Sequence, residues 1–289
     1  MSGARAIRSK IKNVENTGQI TNAMCMVAGS KMRKTQNLMH KSQPYANSMR
    51  QVIGHVAASH SHGHPYLKSR ETLNRVGYLV VSTDRGLCGG LNINMFRRLL
   101  NDVKEHRENG VEVELCIIGR KAAAFFRRLD MPILGVADNL GDQPELADLI
   151  GVVRLMIDRY DSGELDRICV ISNEFVNTMV QRPVVQQLLP LEADSVASSL
   201  GHWDYIYEPD EAHHILTQLM VRYIESQVYR SVVENIACEQ AARMMAMQSA
   251  TDNAADLVEE LTLIYNKARQ ASITREIAEI VAGSDAIDN

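Results

Sequence analysis

The sequence predicts a mixed α+β protein: long N- and C-terminal helices forming an antiparallel coiled coil, with an α/β domain inserted between them. Three observations carry that expectation. After Pro209 there is no proline, and after Gly201 no glycine until Gly283, so Pro209 to Ala282 is an uninterrupted helix signal. A heptad stripe occupies the first segment of the chain. Between these two segments the pattern changes to short β-branched runs alternating with amphipathic stretches.

The N-terminal segment, residues 1–58, carries its stripe as Ile7, Ile11, Val14, Gly18, Thr21, Cys25, Ala28, Met32, Thr35, Met39, Ser42, Ala46, Met49, Ile53 and Val56. The steps alternate four and three, as a helix seam requires. Its middle is small and polar, so two backbones can approach closely there while burying less apolar area. Pro44 removes one backbone donor and is expected to kink or interrupt the helix near His40. His55, His60, His62 and His64 crowd the stretch ending at Pro65, but no acid or cysteine joins them. The segment reads as a loop rather than a metal site.

The middle segment, residues 75–192, reads as a small Rossmann-like domain with a largely parallel sheet. Strands are expected at Val76 to Ser82, Val111 to Ile118 and Arg167 to Ser172. Helices are expected at Leu91 to Arg107, Arg120 to Leu129 and Glu145 to Tyr160. Between the first strand and the first helix lies TDRGLCGGLN, Thr83 to Asn92. That is where phosphate-cradling loops sit, yet it matches neither G-x-G-x-x-G nor a Walker loop with its Lys-Ser/Thr pair. Gly86, Gly89 and Gly90 read instead as the freedom a tight strand-to-helix connection needs. Cys88 has no histidine nearby to activate it.

The C-terminal segment, residues 209–283, would be a helix about 110 Å long at about 1.5 Å per residue. Pro209 suits the first turn, Asp210 and Glu211 complement the dipole, and Gly283 is expected to end the helix. One seam runs through Met247, Ala250, Ala254, Leu257, Leu261, Ile264, Ala268 and Ala271. Upstream it continues as Val221, Ile224, Val228, Ser231, Asn235, Cys238, Ala242 and Met245, with a phase shift between the two.

Composition narrows the function classes. The chain has 289 residues, 45% hydrophobic and only 5% aromatic, with 14 methionines, a mix suited to helix seams. No apolar run is long enough to span a bilayer, and neither a signal peptide nor a transit leader is expected. The five scattered cysteines suit a reducing compartment and give no disulfide framework. The first 50 residues carry nine Lys or Arg against Glu15 alone, whereas the tail from Asp210 is acidic. Opposite charge favours pairing of the two segments and leaves a basic excess for a partner. That excess alone would also suit a coiled-coil nucleic-acid binder, but scarce aromatics and the acidic tail oppose that reading. A phosphate-binding enzyme built on the middle domain is the third class. No acid-base pair, triad or metal cluster is visible for it.

Several motifs are familiar. Ile7 to Lys12 (IRSKIK) and Thr21 to Lys34 (TNAMCMVAGSKMRK) resemble the opening of the gamma subunits of bacterial F-type ATP synthases. So do Ser82 to Asn92 (STDRGLCGGLN), Cys238 to Met247 (CEQAARMMAM), Ala250 to Ala254 (ATDNA) and Tyr265 to Thr274 (YNKARQASIT). The resemblance implies a central-stalk rotor, one copy per complex, that is itself non-catalytic and binds no cofactor or metal. It also implies three alpha and three beta subunits, an epsilon subunit and a c ring as partners, with no nucleic acid. Membrane attachment would come only through the complex, at the cytoplasmic face of the inner membrane. By position, the resemblance implies that Met24, Lys31, Arg33, Lys34, Glu239, Arg243, Gln270 and Thr274 face the beta subunits. Glu239 stands one turn before Arg243, where an i, i+4 pair would hold it. Trp203, Tyr205 and Tyr207 match the region near the c ring and epsilon.

Overall fold

The computed structural model describes residues 2–59, 65–68, 70, 72–191 and 212–285. Helix α1 (Ser2–Ser59) is followed by β1 (Arg75–Val81), α2 (Leu91–Glu108), β2 (Glu112–Ile118) and α3 (Arg120–Arg127). Then come β3 (Ile133–Ala137), α4 (Leu146–Asp161), β4 (Arg167–Phe175), β5 (Gln181–Leu189) and α5 (Ala212–Asp285). The chain forms two compact units: Met1–Ala28 with Met244–Asn289, and Gly29–Arg243. Each long helix therefore contributes to both.

In the larger unit the sheet order is β3-β2-β1-β4-β5, parallel except for β5. This is the expected alternation of strand and helix. β1 lies at the centre and is buried on both faces, which explains its nearly continuous apolar run. Val76, Tyr78 and Val80 point to one face, where Met95, Phe96 and Leu99 of α2 and Phe126 of α3 cover them. Leu79 and Val81 point to the other, against Leu149, Val153 and Met156 of α4 and Met220, Ile224, Val228 and Val232 of α5. Gly77 admits the close approach of α4: a Cβ there would meet Met156 Cε at 2.6 Å.

Two strands had no counterpart in the sequence reading. β3 is a five-residue edge strand, too short for its alternation to register. β5 contains Pro183, which usually argues against a strand; here β5 pairs only with β4 and lies at the sheet edge, where a missing donor is tolerated.

The C-terminal helix also differs from its expected pattern. From Met220 to Arg243 only Arg222 is exposed, so this stretch is wrapped by the core on nearly every side rather than along a single seam. Gly283 does not end α5, which runs to Asp285, and Pro44 does not interrupt α1.

In the smaller unit the two helices run antiparallel. Thr21 Oγ1 lies 2.7 Å from Thr251 Oγ1, Cys25 Sγ donates to Gln248 Oε1 at 3.6 Å, and a Cβ on Gly18 would touch Ala254 at 3.4 Å. Rising numbers on α1 thus meet falling numbers on α5. On α1, Ile7, Ile11, Val14, Gly18, Thr21, Cys25 and Ala28 are buried or half-buried; between Arg5 and Ala28 every other residue except Met24 is exposed. On α5 from Met247 to Ala278 the protected residues are Met247, Ala250, Thr251, Ala254, Val258, Leu261, Tyr265, Ala268 and Ser272. Leu257 and Ile264, expected in the seam, are 43% and 45% exposed, and Ala271 is exposed as well. The seam keeps its four-three spacing, but its alternate positions lie one residue later.

Candidate functional site

The glycine loop between β1 and α2 is closed by its own side chains. Thr83 N donates to Asn92 Oδ1 at 3.3 Å, Asn92 Nδ2 donates to Thr83 Oγ1 at 2.7 Å and to Cys88 Sγ at 3.4 Å, and Thr83 Oγ1 donates to the Arg85 carbonyl at 2.7 Å. The first turn of α3 is satisfied too: Arg120 N donates to Asp84 Oδ1, and Ala122 N to Ser82 Oγ. A cavity beyond the C-terminal ends of β1, β2 and β3 is lined by Asp84, Arg85, Arg120, Asp142, Asn235 and Glu239 and measures about 120 Å³. That place is the usual ligand crevice of such sheets, but ligand pockets usually span about 300 to 1,000 Å³. Burial, with the Glu239 carboxylate close by, pushes the Cys88 thiol above its ordinary value, the opposite of an activated nucleophile.

A polar network lies beside this cavity. Arg243 Nη2 donates to Glu239 Oε1 at 2.6 Å and to the Gly86 carbonyl at 3.0 Å, while Nη1 donates to Gln240 Oε1 at 3.2 Å. Gln240 Nε2 donates to Asp142 Oδ1 at 3.4 Å, and Lys31 Nζ donates to Asp142 Oδ2 at 2.7 Å. The i, i+4 pair of Glu239 and Arg243 is present, both side chains 11% exposed. Burial raises the Glu239 carboxyl above its usual range, and the Arg243 guanidinium offsets part of that rise.

Of the residues singled out in the sequence, the structure brings Lys31, Glu239 and Arg243 together. Arg33, Lys34, Gln270 and Thr274 are exposed outside this network, and Met24 is half-buried. Trp203, Tyr205 and Tyr207 lie outside the described residues, as do His60, His62, His64 and the side chain of His55. Among the described residues, no three His, Cys, Asp or Glu side chains are grouped to hold a metal ion, and no helix is long and apolar enough to cross a membrane. Sequence reasoning missed Asp142 and Gln240. The available signal was the turn chemistry of Asn139 and Gly141, both with positive φ, which marks a shaped connection between β3 and α4.

Comparison with known proteins settles the family. The model of the ATP synthase family matches residues 3–287. The ATP synthase gamma chains of two Coxiella burnetii strains, Dugway and Nine Mile phase I, are each 59% identical over 289 residues, covering 100% of both chains. The chain belongs to the ATP synthase gamma family. Solved structures share the fold at low identity. A chain of the Euglena gracilis mitochondrial ATP synthase in rotational state 3 matches with TM-score 0.69 and 20% identity, covering 99% of this chain and 95% of that one. The rotor of the same enzyme in rotational state 1 matches with TM-score 0.61 and 19% identity, over 94% and 99%. A chain from the central stalk and c-ring of the Tetrahymena thermophila mitochondrial enzyme matches with TM-score 0.59 and 23% identity, over 80% and 99%.

Proposed function

We propose that this chain is the central-stalk rotor subunit of an F-type ATP synthase. It turns with a c ring and an epsilon subunit and passes that rotation to a ring of three alpha and three beta subunits, coupling ion translocation to ATP synthesis and hydrolysis. The full-length 59% identity to ATP synthase gamma chains carries the reading. The antiparallel helix pairing between Thr21 and Thr251 supports it, because a two-helix rod resists bending and twisting better than a single helix. A shaft of this kind acts by differential contact: at each angle it favours one conformation of each beta site over the others, and that difference biases the site's affinity.

The ATP chemistry belongs to the partners in this reading. The glycine loop, whose polar groups bond one another, supports that division. Arg33, Lys34, Gln270 and Thr274, whose side chains are exposed, and the half-buried Met24 are the residues proposed to meet the beta subunits. Lys31, Glu239 and Arg243, also expected to face the beta subunits, are bonded within the chain, and Lys31 is the most exposed of the three. The complex would place the chain at the cytoplasmic face of a bacterial inner membrane.

The test is reconstitution. Added to a complex lacking its gamma subunit, the purified chain should restore ATP-driven ion pumping into vesicles. Binding to DNA in place of the hexamer, or ATP hydrolysis by the isolated chain, would overturn the assignment.

A further inference from the structure

Asp142 occupies a junction that the rotor reading does not by itself account for. Its two carboxylate oxygens accept from different helices: Oδ2 from Lys31 of α1 at 2.7 Å, and Oδ1 from Gln240 of α5 at 3.4 Å. Gln240 passes the connection to Arg243, whose guanidinium also donates to the Gly86 carbonyl in the loop after β1. One continuous set of bonds therefore joins α1, α5 and two sheet-end loops of the larger unit. Arg243 is the last α5 residue of that unit, and Lys31 is within three residues of its α1 boundary. The network thus grips both helices where they leave the unit.

The connection between β3 and α4 is shaped to present this carboxylate. Asn139 and Gly141 adopt φ of 61° and 70°, left-handed conformations just before Asp142. The Lys31 and Asp142 side chains are 36% and 47% exposed, so their pairing adds little to stability. A short, well-aligned contact of small stabilising worth, joining separate elements at a boundary, is suited to fixing orientation.

We propose that Asp142 is a positioning residue for torque transfer, tying α1 through Lys31 and α5 through Gln240 and Arg243 to the sheet domain so that both helices turn with it. The inference rests on the rotor reading. Without the tie, part of each angular step is absorbed by twisting of α1 against the domain, whereas α5 is held there by its buried stretch from Met220 to Arg243 as well. Some turnovers then proceed without matched ion movement.

The test uses the complete complex in ion-tight vesicles with the wild-type chain and with Asp142→Ala, Asp142→Asn and the exchange Lys31→Asp with Asp142→Lys. The readouts are ions pumped per ATP hydrolysed and, in single molecules, the angular spread of a probe on the sheet domain during a catalytic pause. Asp142→Ala should raise the uncoupled fraction of turnovers and broaden the pause, each by about twofold, as expected for loss of a half-exposed ion pair. Asp142→Asn, which keeps an acceptor for Gln240 and nearly the same shape, should fall between Asp142→Ala and wild type. The exchange variant should recover part of the loss. Wild-type coupling and angular spread in both Asp142→Ala and Asp142→Asn would overturn the proposal, as would a loss in Asp142→Ala that tracks only reduced assembly while Asp142→Asn behaves as wild type. A wild-type chain that restores no pumping would overturn the rotor reading instead, so the two failures are distinct.

Discussion

Replacing Arg243 by alanine tests the buried pair most directly. Arg243 as a residue is 9% exposed and Glu239 8%, and the guanidinium donates to Glu239, Gln240 and the Gly86 carbonyl. Removing one partner of a buried pair strands the other charge, a loss of about 3 to 5 kcal/mol. The size should depend on pH, because Glu239 can escape by taking up a proton. Its folded carboxyl already lies above the ordinary value, chiefly through burial. A group raised in this way adds stability that is complete below its unfolded pKa and lost as pH rises through its folded pKa. Without the guanidinium the folded value rises further. The Arg243→Ala deficit should therefore be largest well above that value and shrink toward acid pH. Urea unfolding of the purified chain, followed by circular dichroism at about pH 5 and about pH 8, measures how the deficit changes with pH. The double variant Arg243→Met with Glu239→Gln removes both charges and should regain most of the loss. A deficit under about 1 kcal/mol at both pH values, or a double variant no better than Arg243→Ala, would refute the reasoning.

Three further outcomes follow from particular contacts. Val258→Asp should cost about 1 to 3 kcal/mol in urea unfolding because it puts a carboxylate in the helix seam, whereas Leu257→Asp, on the exposed side, should stay within about 0.5 kcal/mol of wild type. Equal costs would mean that the seam runs through Leu257 after all. Gly119→Ala should lower stability by about 3 kcal/mol, since φ of 97° disfavours a side chain and the added Cβ would overlap the Ser82 carbonyl oxygen; an unchanged urea midpoint would contradict this. A maleimide at neutral pH should label Cys25, the half-exposed thiol, well before Cys88, Cys116, Cys169 and Cys238, which are buried. Burial pushes the Cys116 and Cys169 thiols up to about 12, so these should stay unlabelled until the chain unfolds, as mass spectrometry of the modified peptides would report.

On α1, the stripe Ile7, Ile11, Val14, Gly18, Thr21, Cys25 and Ala28 was legible in the sequence because the intervening positions are mostly polar, leaving one phase for the seam. On α5 the choice was ambiguous. Leu257 stands beside Val258, Ile264 beside Tyr265 and Ala271 beside Ser272, so two seams one residue apart share the same spacing. One residue is about 100° around a helix, and spacing along a single chain cannot choose between two such faces. The partner helix decides, through Thr21 against Thr251 and Gly18 against Ala254.

The larger unit divides in the same way. The central strands and their helices were readable because burial on both faces gives β1 and β2 apolar runs that local pattern alone reports. Alternation along the chain, with its motifs, determined the coil, the inserted sheet and the family. Other features needed the fold: the edge strands β3 and β5, the all-round burial of α5 from Met220 to Arg243, and the meeting of Lys31, Asp142, Gln240 and Arg243. Lys31 and Asp142 lie on separate elements far apart in the chain, and only tertiary packing brings such groups within bonding distance.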